Sequence, residues 1–159
     1  MLQEELARQF ESALLQLKNE INAYTHRDLM WQVSGDIKNS GGTLCVHLLG
    51  NLNHYIGAVL GRSGYQRHRE QEFSGKAIPT ATLLKQIDEL IYLIKTTVSA
   101  LTDEQLKGPY PLQDGKPWKT TEARLLQLLA HLNYHLGQVN YHRRLMDPPV
   151  SLPSGVHRL

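Results

Sequence analysis

The chain has 159 residues, 17 Lys and Arg against 15 Asp and Glu, and 41% hydrophobic residues, which fits one domain with a single contiguous core. The near-balanced charge argues against a nucleic-acid partner, because Arg67-His68-Arg69 and Arg143-Arg144 are too short to track a phosphate backbone and read as solvated surface. No run of about 18 apolar residues offers a spanning helix, the charged amino-terminal segment lacks a secretory apolar stretch, and the single Cys45 reads as a small buried hydrophobe in a reducing, cytoplasmic compartment.

Leu2, Leu6, Phe10, Ala13, Leu17, Ile21 and Tyr24 recur at spacings of three and four and predict a first amphipathic helix. Residues 25–42 lose that rhythm and end in Gly41-Gly42, a loop that can tuck Leu29, Met30 and Trp31 onto the bundle. A second helix is expected from Asn39 or Ser40, both good N-caps. Its stripe is Leu44, Leu48, Leu52, Tyr55 and Val59, with Gly61 as the C-terminal cap. Residues 61–79 are polar and Gly-containing, long enough to cross a bundle end to end, so the helices they join can run parallel.

Thr80 or Thr82 caps a third helix with Leu83, Ile87, Leu90, Ile94, Val98 and Leu101 as its core set. Thr102-Asp103-Glu104-Gln105 reads as a capping box opening a short extra turn that Gly108 ends. Pro109, Pro111, Gly115 and Pro117 make the next segment non-helical, with a hairpin around Asp114-Gly115. Thr120 caps a fourth helix carrying Leu125, Leu128, Leu129, Leu132, Leu136 and Val139, and Pro148 and Pro149 stop it. The expected fold is all-α: a four-helix bundle with a long crossover between helices two and three. One domain spans residues 1–146, and 147–159 form an irregular tail.

Eight histidines are present, and their positions matter more than their number. His131 and His135 stand four apart on one helical face, close enough to share an ion. Arg124, Gln138 and His142 fall in the same column, with His142 read as solvated. The second helix repeats the pattern, with His47, Asn51 and His54 flanking its apolar stripe. If these margins face each other, three or four imidazoles converge. Neutral imidazole suits zinc, nickel, copper and iron alike.

The phrase His131-Leu132-Asn133-Tyr134-His135-Leu136-Gly137-Gln138 resembles the His-x-x-x-His-x-Gly-Gln signature of the DinB-like metalloproteins, and His47-Leu48 resembles their earlier ligand step. The order of elements over residues 1–146 is similar too, and Leu48-Leu49-Gly50-Asn51-Leu52 is closest to an uncharacterised subgroup. Leu136 stands where many relatives carry Arg. The resemblance implies a His47, His131 and His135 triad around one divalent ion, zinc or nickel first and iron, manganese or copper as alternatives, and a homodimer. It also implies chemistry on a small molecule, by transfer of a low-molecular-weight thiol to an electrophile.

Hydrolysis by an activated water is the alternative reaction. A non-enzymatic, metal-stabilised binding or dimerisation module, stress-related in role, is the rival class. His54 is the candidate for proton transfer, and Asn51 and Gln138 are candidates to orient the ligands by hydrogen bonds. Neither polar column contains an Asp or Glu, so no protein general base is evident.

Overall fold

The computed structural model describes residues 1–112 and 120–148, and every regular element among them is helical. α1 (Leu2–Asn22) leads through a 3-10 turn at Leu29–Trp31 to α2 (Gly41–Leu52), which continues into a π turn at Asn53–Ala58. α3 (Arg69–Glu72) is a single turn, followed by α4 (Thr80–Ser99), the short α5 (Asp103–Lys107) and α6 (Thr121–Met146). None of these helices is long and apolar enough to cross a membrane.

The three- and four-residue spacing of apolar side chains buries one face of each long helix. Phe10, Leu14, Leu17 and Ile21 of α1 are fully covered, and α1 packs chiefly on α4 and α6. Leu83, Ile87, Leu90, Ile94 and Val98 bury the facing side of α4, and Leu125, Leu128, Leu132, Leu136 and Val139 that of α6. Caps fall where the sequence puts them: Ser40 Oγ accepts from the Thr43 N–H, Thr120 Oγ1 from Ala123 N–H, and Thr102 and Gln105 form a reciprocal box. α4 differs slightly, since its cap position is Pro79, whose carbonyl accepts from Thr82 and Leu83.

Met30 is buried and Trp31 half-buried against the helices. Gly42 is what lets the Trp31 ring come so close, and Gly41 does the same for Tyr24. A Cβ on Gly41 would lie 2.1 Å from the Tyr24 hydroxyl, and one on Gly42 would lie 2.6 Å from the Trp31 ring.

The apolar stripe of α2 departs from expectation at its end. Ile56 is fully buried, whereas Tyr55 and Val59 lie half-buried at the margin. A π turn takes more residues per revolution than an α-helix, so it rotates the following side chains and carries Ile56 into the core. Tyr110 Oη donates to the Tyr55 carbonyl at 2.6 Å, satisfying a backbone acceptor at this widened turn.

Three surface expectations need correction. Arg67 is not solvated: its guanidinium is held by Glu72. Arg143 is half-buried, its Nε 2.5 Å from Glu20 Oε2. Asp147, the first residue of the expected tail, is buried and accepts from the Thr25 and His26 backbone N–H groups, which docks the end of α6 on the loop after α1. The hairpin expected at Asp114-Gly115 and the tail from residue 149 lie outside the described residues.

Candidate metal centre

α2 and α6 pack side by side in opposite directions: Gly41, at the start of α2, lies against His142, and Tyr55, beyond its end, lies 4.1 Å beneath the buried Arg124 guanidinium. This register sets the polar margins of the two helices face to face. His47 of α2 meets His131 and His135 of α6, and one ligand atom from each comes within 4.8 Å of the others. His131 Nε2 lies 3.3 Å from His47 Nε2 and 3.1 Å from His135 Nε2. His47 is buried, while the two α6 histidines are half-buried, so the cluster can be reached from outside.

Hydrogen bonding fixes which nitrogens face inward. His47 Nδ1 lies 2.9 Å from Glu72 Oε2. A carboxylate can only accept, so Nδ1 carries the proton and Nε2 presents a lone pair. His135 Nδ1 donates to Gln138 Oε1 at 2.6 Å, which turns its Nε2 lone pair inward as well. His131 Nε2 faces both and can offer a proton to only one of them. The cluster therefore carries more acceptors than protons, which a cation would resolve.

The spacing also suits one. Two imidazole nitrogens at tetrahedral zinc distances stand about 3.3 Å apart, close to the two short separations here. Three protein nitrogens would leave open positions for a further ligand, as reactive rather than structural sites do.

The charge state agrees with this. Burial pulls the His47 pKa below its ordinary value, against the raising effect of the Glu72 hydrogen bond, and the net result favours neutral imidazole. For Glu72, burial pushes the carboxyl up, but hydrogen bonds from Arg67 and His47 outweigh it and hold the group below its usual range.

Glu72 is the site residue that sequence reasoning missed. It comes from α3, in the segment linking α2 to α4, and supplies the carboxylate that neither polar column contains. Arg67 and Glu72 together form the wall behind His47, and the Phe73 ring packs 4.9 Å from the His47 ring. Gly50, mid-helix in α2, was the available signal: a Cβ there would lie 2.1 Å from Glu72 Oε1.

The remaining candidates fall as follows. Gln138 Oε1 accepts from His135 Nδ1. Asn51, one turn beyond His47, is buried, and no described residue hydrogen-bonds its Oδ1. His54 lies in the π turn with its ring 4.7 Å from Tyr55, outside the converging trio. His142 is not solvated: its Nε2 donates to the Gln32 carbonyl at 2.8 Å and its Nδ1 accepts from the Tyr24 hydroxyl at 2.7 Å. Cys45 is fully buried, which pushes its thiol up to about 12.

Two grooves border the centre without being lined by its histidines. One of about 940 Å³ runs between α2, α4 and the linking segment and touches Glu72. The other, about 510 Å³, lies between Leu44, Gln138, Tyr141 and Leu145. Both are within the range that holds small molecules.

A family model described as "Protein of unknown function (DUF1572)" matches residues 2–148. No curated protein matches the chain.

Proposed function

The chain belongs to the DUF1572 family, and we propose that it is a DinB-like metalloprotein that uses one divalent ion, held by His47, His131 and His135, on a small molecule. The observation that carries this reading is the meeting of three imidazole nitrogens, two of them turned inward by partners behind. α1, α2 with its π turn, α4 and α6 would be the four bundle helices, with residues 61–79 as the crossover. Zinc or nickel is the first choice for such a donor set, and iron, manganese or copper the alternatives.

When bound, the ion would lower the pKa of a thiol or water at an open position and make it nucleophilic near neutral pH. The chain's own residues prepare the place. Glu72 and Gln138 keep the His47 and His135 lone pairs inward, and the Asn51 Oδ1 offers an acceptor to a ligand's donor. The thiol would come from solution, because Cys45 is sealed in the core and held protonated. That state fits a reducing, cytoplasmic setting. In thiol transfer the sulfur would bond to an electrophilic carbon as that carbon's bond to a leaving group, or the strained ring or π bond it belongs to, breaks. The released atom would keep the electron pair, and the thiol proton would pass to it through solvent or through His54.

The outer face of α6 supports a homodimer. Leu126, Tyr134, Tyr141 and Leu145 are exposed there at helical spacing, opposite the buried stripe. One observation favours the binding-module reading: both Glu72 oxygens are already engaged by Arg67 and His47, so Glu72 is not a free base.

Purified protein should carry about one equivalent of metal by elemental analysis, and His47→Ala and His131→Ala should each lose it. Stoichiometric metal in either variant removes that residue from the set. With metal present, consumption of a low-molecular-weight thiol by a small electrophile should outpace the same assay with His135→Ala; equal rates leave the binding module.

A further inference from the structure

We infer that Glu72 is a positioning residue for His47, carried in by the linking segment, so that metal loading and the docking of residues 67–73 are coupled. The inference rests on the metal reading just given. Glu72 is reached from three sides. Its Oε2 accepts from His47 Nδ1 at 2.9 Å and Arg67 Nη2 at 2.8 Å, and its Oε1 accepts from Arg67 Nε at 2.7 Å.

The side chain of Glu72 is 5% exposed and that of Arg67 10%. An Arg–Glu pair satisfied only by itself gains little from burial, since desolvation opposes the attraction. Here the burial places one oxygen against the one ring nitrogen that decides which way the His47 lone pair points. A carboxylate behind a ligating imidazole fixes the tautomer, fixes the ring and raises the basicity of the inward nitrogen.

The segment is fitted for that contact. Gly50 leaves the space that Glu72 fills, since a Cβ there would stand 2.1 Å from Oε1 and 2.7 Å from Cδ. Phe73, covered by the Arg69 guanidinium at 5.3 Å, closes over the His47 ring. Coupling of this kind is reciprocal. An ion on the inner nitrogen favours the Nδ1–H tautomer, which favours the docked carboxylate and therefore the docked segment.

The test compares the full-length protein with Glu72→Gln, with Gly50→Ala, and with Glu70→Gln as an exposed control on the same turn. Nitrogen NMR of the histidine rings, on metal-free protein, should give His47 as the Nδ1–H tautomer in wild type and in Glu70→Gln. That preference should be lost in Gly50→Ala, where the carboxylate is displaced, and weakened in Glu72→Gln. Zinc affinity should fall about 10- to 100-fold in both site variants and stay unchanged in the control. Zinc should slow amide exchange over residues 69–73 in wild type and fail to do so in Gly50→Ala.

A folded Gly50→Ala or Glu72→Gln protein with the wild-type tautomer and wild-type zinc affinity overturns the inference. Wild-type protein that takes up none of zinc, nickel, iron, manganese or copper overturns the metal reading instead, and the tautomer comparison then decides the role of Glu72 by itself.

Discussion

His47 and His135 are held from behind by different chemistries, a buried carboxylate and an exposed amide. The amide is neutral and competes with water, so its contribution should be the smaller. Gln138→Ala is expected to weaken metal binding by about tenfold, at the low end of what such partners supply. A competition titration against a chelator checks it, and an unchanged affinity would make Gln138 an ordinary rim residue. The two partners also differ in how readable they were. Gln138 lies three residues from His135 on one helix, so local geometry alone brings them together. Glu72 lies 25 residues from His47 in a segment without periodicity, and only the tertiary fold unites them. His142 shows the same limit: it is buried, and the Tyr24 hydroxyl that donates to it lies 118 residues away in sequence.

Among the elements, the long helices were legible because each buries one face, and burial is what 3.6-residue periodicity records. α3 was not, since four residues carry no period. The π turn was missed because its extra residues per revolution leave either Tyr55 or Ile56 acceptable on the sequence pattern, and packing alone chooses. The docking of the α6 end was also invisible, being a contact between Asp147 and the loop after α1. It yields a prediction with a definite sign.

The hydrogen bond that His26 donates to Asp147, and then the Asp147 charge, raise the His26 pKa. Hydrogen bonds from the His26 side chain and backbone lower that of Asp147. The His26 contribution is complete below its unfolded value of about 6.5 and is lost as pH rises through the elevated one. The Asp147 contribution is complete above about 3.9 and is lost as pH falls through the depressed one. The clasp should therefore be firmest between about pH 4 and 6.5. NMR titration should show His26 titrating above an ordinary histidine, and falling back toward the ordinary value in Asp147→Asn. An unshifted His26 in the wild type would refute the clasp.

For the whole molecule, the centre joins α2 to α6, two helices far apart in sequence that also pack together and share the hydrophobic core. An ion that binds only when three imidazoles are brought together binds the folded chain and not the unfolded one. Free metal at a hundred times its dissociation constant should then add about 2.7 kcal/mol to stability. For a chain of this length that corresponds to a rise of roughly 5–10 °C in Tm. His131→Ala should abolish the metal-dependent part while changing the metal-free Tm little, because the ring is half-buried at the helix margin. Leu132→Ala, one residue on but fully buried, should do the reverse. It should lose about 2–5 kcal/mol with or without metal and keep most of the response to added ion. Calorimetry on the three proteins with chelator and with zinc separates the terms. If chelator leaves the wild-type Tm where zinc leaves it, the histidines do not tie the two helices through zinc.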